Sequence, residues 1–134
     1  MQSNTTPEDI LEFHTAQEWN DINSRFSSNL IIVTFFTNTC PICKSFAPNF
    51  QAAQKEFKLK PVVFGRINAE EVPLVAAQLG IEGVPQTLFI KEKEIIRRMT
   101  GNISKIQLRG TINDLLVKYF HQKPVFDDSS SMYM

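Results

Sequence analysis

The chain has 134 residues, enough for one domain with a substantial core and too few for two. Fourteen basic residues balance fourteen acidic ones, so no charge excess marks a nucleic-acid or anionic-membrane surface. No stretch is long and apolar enough to span a bilayer, and two cysteines are too few for a disulfide-stapled scaffold.

Residues 1–9 are polar, without the basic and apolar segments of a signal peptide. They are expected to form a flexible leader to a domain over residues 10–121, in a reducing cytoplasm. Ile10 to His14 predicts a short edge strand. Thr15 and Glu18 have capping-box spacing, and Trp19, Ile22 and Phe26 follow on one helical face until Ser27-Ser28-Asn29. Leu30 to Phe36 is apolar on both alternations except at Thr34, the pattern of a strand covered on both faces.

Thr37 to Thr39 turn the chain into Cys40-Pro41-Ile42-Cys43-Lys44. Pro41 suits the first position of a helix. Phe46, Phe50, Ala53 and Phe57 extend an apolar stripe, with Pro48 inside it as an expected kink. Lys60-Pro61 breaks the chain before a strand over Val62 to Asn68. A short helix follows over Glu71 to Leu79, with Pro73 in its first turn and Gly80 at its C-cap. Thr87 to Lys91 and Ile95 to Met99 read as a hairpin closed by Glu92-Lys93-Glu94. After Gly101-Asn102, Ser104 caps a last helix with Ile106, Leu108, Ile112, Leu115, Leu116, Tyr119 and Phe120 as apolar positions. Residues 122–134, containing Asp127-Asp128-Ser129-Ser130-Ser131, read as a flexible tail. Early strand–helix alternation followed by a hairpin implies an α/β fold: a mixed central sheet, parallel plus an antiparallel hairpin, with helices on both faces.

The two cysteines sit three apart at a strand-to-helix turn, the place where a thiol is acidified. Free N–H groups and the helix dipole favour negative charge there. A zinc site would need two further ligands, and the only histidines, His14 and His121, lie near opposite ends of the chain. The pair therefore reads as redox-active, with Cys40 as nucleophile.

From Ile10 to Tyr119 the sequence resembles the thioredoxin family. The strand Ile31 to Phe36 precedes Cys40 and Cys43, Lys44 follows them, and Pro48 sits where the family kinks its second helix. Gly83-Val84-Pro85 is similar to the segment whose proline is cis and faces the active site, and Gly101 to the small residue beside that groove. Three features depart from the pattern. Thr39 stands where Trp is usual, Pro41-Ile42 where Gly-Pro is usual, and Thr34 where a buried Asp is usual. Cys-Pro-Ile-Cys is similar to the glutaredoxin motif, but the long N-terminal strand and helix and the missing Gly-Gly glutathione segment are not.

The resemblance implies a thioredoxin fold and a protein thiol–disulfide oxidoreductase. Cys40 attacks a substrate disulfide and Cys43 resolves the mixed disulfide, leaving a Cys40–Cys43 disulfide. Thr39, Pro41, Ile42, Val84, Pro85 and Gly101 are the expected substrate contacts. Thr34 and Lys44 are the candidates for tuning the sulfurs. With Cys40 at the N-cap, Ile42 and Cys43 would supply amide donors, taking the Cys40 pKa below the roughly 8.5 of a free thiol. Thr34 cannot act as a base, so resolution is expected to be slower than in an Asp-bearing relative. No metal or bound cofactor is expected. The implied partners are disulfide-containing proteins and an external reductant, thioredoxin reductase or glutathione, acting on a monomer. The competing readings are a glutathione-dependent activity and an adaptor module whose groove matters more than its sulfurs.

Overall fold

The computed structural model describes residues 7–125. Among these residues, five strands and four helices run in the order β1 (Leu11–Phe13), α1 (Ala16–Arg25), β2 (Leu30–Phe36), α2 (Pro41–Glu56), β3 (Val62–Asn68), α3 (Pro73–Gln78), β4 (Gln86–Lys91), β5 (Glu94–Thr100) and α4 (Lys105–Phe120). The strands form one sheet in the order β1-β3-β2-β4-β5. β2 and β1 each pair with β3 in parallel, whereas β4 pairs antiparallel with β2 and β5. The fold is the thioredoxin fold, as the sequence implies.

Side chains alternate between two cores, because successive strand residues point to opposite faces. Leu30, Ile32, Phe64 and Phe89 meet Phe46, Phe50 and Phe57 of the α2 region and Ile112 and Leu116 of α4. Ile31, Val33, Phe35, Ile67 and Leu88 meet Trp19 of α1 and Val75 of α3. β2 has both faces covered, so its apolar run shows no alternation in sequence. Trp19 is core, packed edge-on against Phe13 at 5.6 Å between centroids.

The helix ends are where sequence and structure differ in detail. Thr15 accepts from the Glu18 amide at 3.1 Å, but the Glu18 carboxylate takes the His14 amide (2.6 Å) rather than the Thr15 one. α3 ends with its C-cap at Leu79, and Gly80 stands one residue further, at φ +71°. The Ile81 amide reaches back to Ala76 O at 2.9 Å, the six-to-one bond of a Schellman turn. Ser104 and Gln107 form a full capping box at the start of α4. α2 runs through Pro48. Residues 1–6 of the expected leader and 126–134 of the expected tail, including Asp127-Asp128-Ser129-Ser130-Ser131, lie outside the described residues. Glu8 O accepts from the Gln54 side chain, and the buried Asn113 amide pairs both of its groups with the Val125 backbone at 2.8 Å.

The hairpin turn is tighter than its three charged residues suggest. Lys91 pairs directly with Glu94, leaving a two-residue turn with Glu92 at φ +52° and Lys93 at φ +66°. Two left-handed residues in a row match the strand twist, and glycine suits the second position best. Lys93→Gly should therefore stabilise the protein by about 0.5–1 kcal/mol, the left-handed cost relieved less the freedom glycine gains unfolded. Thermal unfolding would register this as a rise of a few degrees.

His14 Nδ1 lies 2.9 Å from Glu71 Oε1, bridging the end of β1 to the start of the α3 turn. That hydrogen bond, followed by the Glu71 charge, holds the imidazole pKa above its usual 6.5. The folded state thus favours the protonated ring. This contribution is complete below the unfolded pKa and fades as pH rises through the folded one. In an NMR titration, Glu71→Gln is expected to return the His14 midpoint toward 6.5.

Candidate active site

β2 delivers the chain to the front edge of the sheet, and the turn at residues 37–39 starts α2 at Pro41. Cys40 is the N-cap, in extended conformation (φ −100°, ψ 104°). Its sulfur accepts the Cys43 amide at 3.1 Å. Of the two expected donors, the Cys43 amide makes the contact. Cys40 and Cys43 form a disulfide across the first turn, with Cα atoms 5.2 Å apart. Cys40 is half-buried and Cys43 is 7% exposed, so Cys40 is the more accessible of the two.

The loop before β4 closes over the sulfurs. The Val84–Pro85 peptide is cis, and the Val84 carbonyl oxygen lies 3.9 Å from Cys40 Sγ. Pro85 O accepts the Gly101 amide at 2.9 Å. Gly101 has φ +87°, a conformation that disfavours any side chain. Around this centre Thr39, Pro41 and Ile42 are exposed, Ile42 at 54%. Among the expected site residues, Cys40, Cys43, Val84 and Pro85 are thus brought together, with Gly101 tied behind Pro85. Lys44 is exposed on α2 and borders a small cleft of about 130 Å³ with Phe36, Asn38, Cys43 and Arg66.

Thr34 lines the same cleft as Cys43 and is 5% exposed. Its Oγ1 accepts from Thr87 Oγ1 at 3.2 Å. Both residues point to the α2 side of the sheet. A larger cleft of about 330 Å³ opens beside them, lined by Thr34, Cys43, Pro85, Arg66 and Glu12 among others. Arg66 Nη1 donates to Glu12 Oε2 at 2.8 Å, and the guanidinium lies 4.1 Å from the Phe36 ring centroid. Neither Arg66 nor Glu12 stands out in the sequence as a site residue. The available signal was a cation inside an otherwise apolar strand, since Val62 to Asn68 has no other charge.

Among the described residues, no group of three or more His, Cys, Asp or Glu side chains is placed to hold a metal. None of their helices is long and apolar enough to cross a membrane.

Comparison with known proteins agrees with this geometry. The Thioredoxin family profile matches residues 10–114. Thioredoxin H5 of Arabidopsis thaliana is 32% identical over 113 residues, covering 83% of this chain and 90% of that one. A thioredoxin of Buchnera aphidicola is 32% identical over 87 residues, covering 65% of this chain and 79% of the other. Among solved structures, Fasciola hepatica thioredoxin superposes with a TM-score of 0.72 at 27% identity, over 78% of this chain and 98% of its own. A sulfur pair at the head of α2, the cis Val84–Pro85 peptide beside it and the profile match over nearly the whole described chain lead to one conclusion: the protein belongs to the thioredoxin family.

Proposed function

We propose that the protein is a thiol–disulfide oxidoreductase working in the reducing direction on disulfide-containing proteins. In this reading the reduced Cys40 thiolate attacks one sulfur of a substrate disulfide. A Cys40–substrate bond forms and the other substrate sulfur leaves with the electron pair. Cys43 then loses its proton and attacks Cys40 Sγ. The Cys40–Cys43 bond forms, the mixed disulfide breaks, and the substrate departs reduced. An external dithiol reductase or glutathione returns the two electrons. The protein acts as a monomer in the cytoplasm.

The observation that carries this reading is the Cys40 sulfur at a helix N-cap, 3.1 Å from the Cys43 amide and within a disulfide to Cys43. The donor holds a sulfur anion better than a thiol, and the dipole acts in the same sense. The Val84 backbone beside the sulfur supports capture of an extended substrate strand. Ile42 and Thr39 supply an exposed, partly apolar rim in place of the usual aromatic.

The test is the Cys40–Cys43 equilibrium against glutathione. A potential well below that of the glutathione pool is expected, as in a reductase; one close to it would instead indicate oxidase or isomerase chemistry. Turnover with glutathione as sole electron source separates the glutaredoxin-like alternative, and is expected to be slow compared with turnover by a dithiol reductase.

A further inference from the structure

Resting on the reading above, we propose that Glu12, positioned by Arg66, accepts the Cys43 proton through water in the cleft beneath the disulfide. Strand register is the basis. Glu12 of β1 is the partner of Arg66 of β3, Arg66 is the partner of Thr34 of β2, and Thr34 is the partner of Thr87 of β4. These four polar side chains form one row across four strands. The row lies on the α2 face, because the flanking Leu11, Phe13, Val33, Phe35 and Ile67 belong to the opposite core. Thr34 shares its cleft with Cys43, and the Glu12 end of the row reaches half-exposed surface.

The chemistry needs an acceptor there. When Cys43 attacks, its S–H proton must leave, and neither Thr34 nor Thr87 can take it at neutral pH. Lys44 and Lys55 are cations, as is Arg66. Among the described residues, Glu12 and Asp9 are the only carboxylates lining the cleft. Glu12 is the one fixed in direction, by Arg66 Nη1 at 2.8 Å. The guanidinium is itself held over the Phe36 ring. Glu12 and Thr34 are separated by two inter-strand spacings of about 4.8 Å. A cleft of about 330 Å³ has room for several waters across that gap. The other ionisable groups near Glu12 are His14 at 3.9 Å on its own strand end, Glu18 and Asp21 of α1 across a neighbouring cleft, and Asp9 and Lys55 within this one. In the step itself, the Cys43 proton passes by water to the Glu12 carboxylate. The Cys43 electron pair forms the bond to Cys40 Sγ, and the substrate sulfur leaves with the pair of the broken bond. Glu12 then returns the proton to solvent.

The experiment is stopped-flow single turnover of the reduced protein with excess disulfide substrate between pH 4 and 9, where capture is fast and resolution is read as release of reduced substrate, for wild type, Glu12→Gln, Glu12→Asp and the double variant Glu12→Gln/Thr34→Asp. Glu12→Gln is expected to slow resolution roughly ten-fold at neutral pH and to flatten the acid limb of its pH profile, while Cys40 attack on substrate is unchanged. Glu12→Asp should keep most of the rate. The double variant should recover it by placing a carboxylate in the row next to Arg66, on the cleft that Cys43 lines. Superimposable profiles for wild type and Glu12→Gln would overturn the proposal while leaving the redox cycle standing. Failure of the reduced wild type to reduce a disulfide substrate at any pH would instead remove the function on which it rests.

Discussion

Cys40→Ser is expected to reduce disulfide turnover to background, a loss of roughly 10³-fold or more, since the nucleophile is removed outright. Cys43→Ser is expected to fail differently. It should still attack, and should accumulate a covalent Cys40–substrate adduct visible by non-reducing electrophoresis. The asymmetry follows from position. Cys40 caps α2, half-buried, with the Cys43 amide at 3.1 Å and the Val84 carbonyl at its side. Cys43 is 7% exposed and reaches only what Cys40 has already captured. Both substitutions are nearly isosteric, so thermal melts of the reduced proteins should agree within a few degrees. Retention of partner binding and cellular phenotype by Cys40→Ser would favour the adaptor reading and defeat the enzymatic one.

Phe50→Ala should be the most damaging of the simple core truncations, costing about 3–5 kcal/mol. Phe50 is 1% exposed, edge-on to Phe64 of β3 at 5.5 Å and tilted against Phe46 at 5.8 Å. It lies between α2 and the sheet, midway along the helix that carries the cysteines. Native domains are stable by only about 5–15 kcal/mol, so the loss is a large share of the total. The melting temperature should fall by roughly 10–20 °C. A fall of under about 3 °C would mean that neighbouring side chains close the cavity.

The sequence disclosed most of the architecture because its signals are local. Trp19 and Phe26, or Phe46, Phe50 and Phe57, reveal their faces within a few turns of helix. The uninterrupted Leu30–Phe36 run likewise shows that β2 is covered on both sides. Cys40, Pro41 and Cys43 announce themselves as a motif at a helix start. What stayed hidden depends on which strands lie side by side. Nothing within Leu11–Phe13 or Val62–Asn68 says that Glu12 meets Arg66, or that Arg66 meets Thr34; register between β1, β3 and β2 decides it. The Glu18 carboxylate turning to the His14 amide, and the two-residue Glu92-Lys93 turn, are likewise choices of geometry among spacings that sequence leaves equivalent.

The carboxamide of Asn113, 8% exposed, has its oxygen and its nitrogen each matched by the main chain of Val125. Any shortened version that stops ahead of that valine strands both halves of an interior amide, at about 1–3 kcal/mol per orphaned group. Any shortening at this end of the protein must therefore keep residue 125, several residues beyond the place where the last helix stops.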